Sequence, residues 1–561
     1  MCKHKKTKLF KLNKYPTFKN ITHADRKYVY TTCKLNSPLE TLARWKKPKI
    51  HVEKINNNLC NVTKYEVLYN NPDIEKGEVL IMNNCKCNDM VGLCNRYLKE
   101  TEHTVSYDVN IVNKILDDLC LKLKENYNGN ITLSEFMDKK KGKLAKRYDD
   151  AARKILKNGF NVYKDNGVTA FIKNEIYDED KAPRMIMGRD PRFNLIYGLF
   201  TTALEHAMLK IPQISKGRNF LERGKQFKDL IFGSDILEGD CSKYEGSQRL
   251  ELLAHIELYI WRKLDPSSYD LLVTLFTAKM KKSGRTLNDL FFEFWYCRGS
   301  GDMDTGLFNT LIMFVACRYF EIINSTGHYE FICDGDDNLL KIPRGRTNLI
   351  DTFKEFGLDA KLILRHTYHD ASYCSGRFIQ YKPGEFMYVQ DLNKLMKNLP
   401  VFRKIKYNHC KGAYYHSLGY MYKKIYGELP LYRDIADFLM RMAPTEHVYV
   451  DILNDINPNH TEAFKNTAYK LDVDETMCRV ELAMCFTKSI AKLDNLITWY
   501  KTNQVSLTIA ELKRYNPTKT PRVRLTDVEL NQVYQNLILG CSTQPPKAYI
   551  RNVNLTKMSG Q

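Results

Sequence analysis

The chain has 561 residues, 43% of them hydrophobic and 12% aromatic, which excludes a mostly disordered protein and exceeds what one simple core organises. A formal net charge of +21 says nothing about fold but points to a polyanionic partner, nucleic acid first. No uninterrupted apolar run is long enough to span a bilayer, and the best one, residues 311–317, reads as a segment of a core helix.

In chain order, the opening MCKHKKTKLFKLNKY is basic and lacks the apolar stretch of a secretory signal. Residue 2 is Cys rather than Gly, so no myristoylation motif is present. The 16 cysteines are scattered, which suits a reducing compartment and small buried thiols. Cys85, Cys87 and Cys94, with Cys60 upstream, form one cluster to weigh as a zinc set. The single residue between Cys85 and Cys87 is tighter than the usual separation, so buried thiols are the favoured reading. Up to about residue 165, short strand-like runs mix with helical ones, and Lys139, Lys140, Lys141, Lys143, Lys146 and Arg147 read as a solvated helix face. A strand-like segment at 230–236 leads to Asp240. A helix follows Ser247, with Leu250, Leu253, Ile256 and Ile260 on one face. Lys279, Lys281, Lys282 and Arg285 form a basic turn, read as solvated in preference to touching nucleic-acid phosphate. The strand-like stretch 291–297 leads to a Gly/Asp-rich loop, and a helix is predicted from Thr305 through Leu307, Leu311 and Val315. Two short strands, 329–333 and 338–342, flank the turn Asp334-Gly335-Asp336-Asp337. From about residue 385 the pattern is mostly helical, with turn signals at Pro400, Pro430 and Pro444 and a polar, basic, loosely held tail after Asn516.

The carboxylates carry the chemistry. In-line phosphoryl transfer between nucleotides uses two divalent ions about 3.5–4 Å apart, which activate the attacking hydroxyl and stabilise the leaving pyrophosphate. Magnesium takes a few carboxylates plus phosphate oxygens and water. One carboxylate at a strand end and an adjacent pair in a hairpin turn supply the minimum, and Asp240 with Asp336 and Asp337 has that form. Gly-Asp-Asp alone is ordinary turn chemistry. Three ordered loci are far more specific: DCSKYEGS, then CRGSGDMDTGLFNT, then ICDGDDNLL, each in a strand, loop-helix or hairpin context that suits it.

On these residues the chain resembles the RNA polymerases of positive-strand RNA viruses, and within them the tombusvirus-like ones. The resemblance covers roughly residues 165–400 and rests on SGDMDTGLFN, on APRMIMGRDPRFN and on SKGRN. It implies an α+β right hand of fingers, palm and thumb, with an antiparallel palm sheet packed on helices. Asp240 matches the first metal ligand, and Asp336 and Asp337 the second locus. Glu245 stands where that family has an Asp beside the ribose 2′-hydroxyl, and Ser300 and Asn309 match the pair that hydrogen-bonds around the ribose. Asp304 replaces the family's usual Asn. Lys173 and Arg184 match cations that neutralise the incoming triphosphate, with Arg189 and Arg192 behind them. Lys361, in FGLDAKLI, matches a lysine that protonates leaving pyrophosphate, with an exposed strand lysine as the plain alternative. ASYCSG, at 371–376, falls where a primer grip belongs.

The reading is therefore RNA-dependent RNA synthesis with Mg2+, or Mn2+ as the second choice, on an RNA template with NTPs. The implied domains are 1–220 for the N-terminal region and fingers, 221–385 for the palm with an inserted fingers segment, and 386–561 for a mostly helical thumb and basic tail. The expected setting is the host cytoplasm, with other viral replication proteins as partners and membranes reached only through such a partner. Two rivals stay open. A reverse transcriptase shares the carboxylates, but Glu245, Ser300 and Asn309 suit a 2′-hydroxyl. A non-enzymatic basic RNA-binding viral protein explains the charge but not the three ordered loci.

Overall fold

Period-two alternation organises the centre of the molecule. In the computed structural model, which describes residues 19–34, 37–51, 60, 62–70, 79–177, 181–443, 448–456, 471–487, 489–516 and 523–553, four antiparallel strands form one sheet. Their order is Phe331–Asp334, Asp337–Ile342, Asp235–Cys241, Ala360–Arg365. Leu237, Cys333 and Leu340 point into one hydrophobic core, together with Leu311 and Val315 of the helix Thr305–Asn324. Their neighbours Ile236, Ile332 and Leu339 point into a second core with Phe227 and Phe378. Both faces of the first three strands are thus largely buried, while the edge strand Ala360–Arg365 is half-buried and exposes Lys361.

The helix Thr305–Asn324 is apolar on nearly every side because it fills this core, and among the described residues it alone is long and apolar enough to meet a membrane-span criterion. A second sheet, of five strands, runs in the order Lys49–His51, Phe291–Trp295, Lys281–Thr286, Val168–Ile172, Met185–Arg189. Segments remote in sequence pair with one another. Lys19–Ile21 pairs in parallel with Asn503–Val505, and Val401–Phe402 pairs with Lys64–Val67. The Arg26 guanidinium, its side chain fully buried, bridges Glu66 and Glu511, and Lys411 reaches the same two carboxylates.

Several expected elements differ. The segment at 230–236 is not one strand: an Asn219/Glu222 capping box starts a helix, Phe220–Leu230, and the strand begins at Asp235. A hairpin, Gly376–Lys382 with Glu385–Gln390, precedes the helices of the last third. The lysines at 279–282 are not a solvated turn. Lys281–Thr286 is a strand, and Lys279 and Lys282 are buried against acidic partners. Part of the tail is ordered, since the helix Asp527–Cys541 buries Val533 and Leu537 in the first core. Gly540 there meets the chain so closely that a Cβ would lie 2.3 Å from the Phe160 carbonyl oxygen. The basic opening, Pro444 and the last residues of the tail lie outside the described residues.

Candidate active site

Asp240 sits one residue before the end of its strand. On the neighbouring strand Asn338 pairs with Gly239, so Asp337 follows one step along the same register and falls beside Asp240. Asp334 and Asp337 pair across a two-residue turn formed by Gly335 and Asp336. Gly335 adopts φ +68°, a conformation open to Gly at little cost, and its amide donates to Thr310 Oγ1 at 2.9 Å. The turn is thereby fixed to the core helix. Gly239 also packs closely: a Cβ there would lie 2.4 Å from Asn338 Oδ1.

The three aspartates line one open cavity of about 2810 Å³. Glu245, Ser300, Lys173 and Arg184 line it as well. Burial, reinforced by Asp337, Glu245 and Asp240, pushes the Asp336 carboxyl up to about 7. Burial also raises Asp337, to about 6; the Cys374 amide bonded to it works the other way, and the charges of Asp334 and Asp240 add to the rise. Among the described residues neither Asp336 nor Asp337 forms an ion pair, whereas the adjacent Asp334 is neutralised by Arg223 at 2.9 Å. Mutual repulsion in an all-oxygen donor set is what a hard divalent cation relieves, so these residues fit magnesium.

The stretch around Glu245 is built for close packing. Lys243 takes φ +54° and opens the short helix Tyr244–Ser247. A Cβ on Gly246 would lie 2.1 Å from the Arg96 carbonyl oxygen. Lys46, buried, donates to the Gly246 carbonyl at 2.6 Å and to that of Tyr97. Burial lowers this ammonium's pKa to about 8. Glu245 itself accepts from Asn309 Nδ2 at 3.4 Å, and Asn309 Oδ1 accepts from Gln248 Nε2 at 2.9 Å. Arg298 Nε in turn donates to Gln248 Oε1 at 3.0 Å. Asn309 is buried behind Glu245 and does not itself line the cavity. Neither Lys46 nor Gln248 was flagged in the sequence, because a lone Lys or Gln without spacing or motif carries no signal.

On the opposite wall, Lys173 and Arg184 both face Glu175, at 2.8 Å and 3.5 Å. Burial opposes the Arg184 charge, but Glu175, then Glu245 and Asp336, outweigh it and raise the pKa. Arg189 and Arg192 do not reach the cavity. Arg189 is buried, pairing Asp302 at 2.8 Å and donating to the Asn166 and Lys279 carbonyls. Arg192 is held by Asp165 and Asp190 at the start of the helix Pro191–Met208. Lys361 lies opposite Asp240 in strand register, exposed, and outside the cavity lining. Lys139 and Lys141, read as solvated, line the cavity. Ser372, Cys374 and Ser375 also line it.

Asp304 belongs to a buried ionic cluster beneath the site. It pairs with Lys279 and with Arg298 at 2.9 Å and accepts from the Tyr197 hydroxyl at 2.8 Å. Glu257 pairs with the same two cations. Burial opposes the Asp304 charge, yet Lys279 and Arg298 more than compensate and hold its pKa far below the ordinary value.

Two family models match the chain. A family model described as RNA dependent RNA polymerase matches residues 191–429, and a second, described as Viral RNA dependent RNA polymerase, matches residues 57–224. The RNA-directed RNA polymerase of Groundnut rosette virus (strain MC1) is 30% identical over 192 residues, 31% of this chain and 22% of that protein. That of Tobacco necrosis virus (strain D) is 26% identical over 256 residues, 41% of this chain and 35% of that protein. The replicase large subunit of Tobacco mosaic virus (strain OM) is 26% identical over 320 residues, 50% of this chain and 19% of that protein. The enzyme class these matches give is RNA-directed RNA polymerase of viral type. The matched stretches span only 19% to 35% of the length of these three relatives.

Proposed function

We propose that this chain copies RNA from an RNA template, adding ribonucleotides to a 3′-end and so replicating the genome of a positive-strand, tombusvirus-like RNA virus. The observation that carries the proposal is the convergence of Asp240, Asp336 and Asp337, from loci far apart in sequence, on one cavity with cationic walls. In this reading residues 221–385 are the palm, the preceding region forms the fingers and the last third the thumb. Asp240, Asp336 and Asp337 hold magnesium, with manganese as a substitute. Held there, a divalent ion would supply positive charge to the attacking 3′-hydroxyl and the leaving pyrophosphate.

The chain's own residues do the rest. Lys173 and Arg184 exchange Glu175 for the incoming triphosphate, since phosphate carries more charge than one carboxylate. Glu245, steadied by Asn309, accepts a hydrogen bond from the ribose 2′-hydroxyl, and Ser300 assists from its loop. Lys361 stands near enough in register to Asp240 to deliver a proton to pyrophosphate if its side chain swings over the strand end. Arg189 and Arg192 position the wall and do not touch substrate. RNA, NTPs, other replication proteins and, through them, membranes of the host cytoplasm are the partners this function calls for.

Primer extension with NTPs and with dNTPs tests the assignment. Wild type should extend with NTPs and magnesium, while Asp336→Asn should lose extension but keep its fold and RNA binding. Extension with dNTPs alone would indicate a reverse transcriptase, and RNA binding without extension a structural protein. Near-normal turnover by Asp336→Asn would remove the metal assignment.

A further inference from the structure

Away from the catalytic cavity, four cysteines from three stretches of chain converge. Cys33, Cys60, Cys85 and Cys87 bring their sulfur atoms within 4.8 Å of one another. The Cys33–Cys60 separation is 3.5 Å, and Cys60–Cys87 and Cys85–Cys33 are both 3.7 Å. All four are free thiols. Sulfurs arranged as a tetrahedron about 2.3 Å from a central zinc ion lie about 3.8 Å apart, so the cluster is already close to the size of such a site. Thiols packed only against thiols gain little, because S–H is a weak donor and sulfur a weak acceptor.

Spacing alone favours buried thiols over zinc and groups Cys94 with Cys60, Cys85 and Cys87. The geometry removes both points. Cys85 is extended, at φ −145° and ψ 161°, and caps the helix Lys86–Gly92, whereas Cys87 lies in its first turn. The change of direction between them lets two sulfurs one residue apart face a common point. Cys94 faces elsewhere, with its sulfur 3.6 Å from that of Met90. Its place is taken by Cys33, which is remote in sequence and joins through the bridge of Thr32 to Met82.

We propose that Cys33, Cys60, Cys85 and Cys87 form a structural zinc site. Zinc displaces the thiol protons to solvent and is held by four thiolates, which leaves no open position for substrate. The site rivets the 31–34 segment to the helix that continues to Leu98. That helix supports the cationic wall, since Arg96 donates to the Ala182 carbonyl and Tyr97 to that of Met185, on either side of Arg184.

The test uses the full chain produced in zinc-supplemented medium and freed of loose metal. Elemental analysis should find about one zinc per chain, and the cobalt-exchanged protein should show thiolate-to-cobalt charge-transfer absorption. Cys33→Ser and Cys87→Ser should each weaken zinc binding at least tenfold, while Cys94→Ser should retain it. Where a serine variant does not fold, alkylation of wild type mapped by peptide mass decides: zinc should protect Cys33, Cys60, Cys85 and Cys87 but not Cys94. Substoichiometric zinc without the cobalt bands, equal loss in Cys94→Ser, or no zinc-dependent protection would each overturn the proposal.

Discussion

Sugar choice is where the structure refines the proposed mechanism most. Asn309 does not face the cavity; it holds Glu245, which does. Asn309→Ala therefore removes the support for a substrate-facing carboxylate and not a substrate contact. A hydrogen bond to a charged group contributes about 1.5–3 kcal/mol, but only when it is short. The Asn309–Glu245 bond is 3.4 Å long, so about 0.5–1.5 kcal/mol is a better figure. At about 1.4 kcal/mol per tenfold, the preference for NTP over dNTP should fall about 2- to 12-fold. Glu245→Ala should lose more, because the carboxylate itself is gone. The same substitution at Asn309 leaves Gln248 Nε2 buried without its partner, which costs about 1–3 kcal/mol of stability and could lower activity for an unrelated reason. Gln248→Met is the control. It disturbs the same buried network, at Arg298 and Asn309, without touching Glu245. Its melting temperature should drop while its sugar ratio stays within about twofold. The assay is kcat/KM for GTP and dGTP on one template, for wild type and the three variants. If the ratio is unchanged in both Asn309→Ala and Glu245→Ala, Glu245 has no part in sugar recognition; an equal fall in Gln248→Met would mean that the Asn309 result reports the buried network and not the Asn309–Glu245 bond alone.

Asp336 and Asp337 titrate at about 7 and about 6, above an ordinary carboxylate, so between about pH 4 and 7 the folded chain binds more protons than the unfolded one. Metal-free stability should therefore fall as pH rises through that window, and magnesium should raise the melting temperature at pH 8 but hardly at pH 5; an equal effect at both would contradict the site. Asp304→Asn should destabilise by about 3–5 kcal/mol, because it leaves Lys279 and Arg298 with one carboxylate between them in a buried site. Adding Lys279→Met should recover part of that loss, and chemical denaturation of the single and double variants checks both. RNA affinity should fall steeply and linearly in log salt, with a slope near one per phosphate contacted, and a flat plot would remove the cationic cavity from RNA binding.

The placement of Asp240, Asp336 and Asp337 together was legible in the sequence because it is fixed locally: a strand end, a tight turn and a Gly with positive φ. The same holds for the long helix after Thr305, whose apolar residues leave no polar face. What could not be read were the partners that fold brings from a distance. Lys46 supports the Gly246 carbonyl across 200 positions, and Cys33 joins Cys85 across 52. A basic run carries no mark that separates Lys141, at the cavity, from Lys282, in the core. The misplaced start of the Asp240 strand had a local cause, since the capping box at Asn219 and Glu222 was present and went unused.

The buried cations show why charge alone misleads in such a chain. Arg189, Lys279, Lys282 and Arg298 are cations that a reader would assign to RNA, yet each is enclosed and paired with Asp302, Asp304 or Glu257. Asp302 and Asp304 both belong to the loop that presents Ser300. That loop leads directly into the helix bearing Asn309, and Arg298 continues by way of Gln248 to Asn309 and Glu245. Ion pairs so deeply buried add little net stability, because desolvation offsets most of their attraction. They do constrain geometry, since any shift of the loop would strand a charge in a dry interior. Asp304 in place of the Asn of the resembling family is then intelligible as one half of a pairing with Lys279: the loop is held by charge where an amide would hold it by hydrogen bonds alone. Lys173 and Arg184 differ from these in that their carboxylate partner, Glu175, is itself at the cavity, so that in the proposed function an incoming triphosphate would take its place.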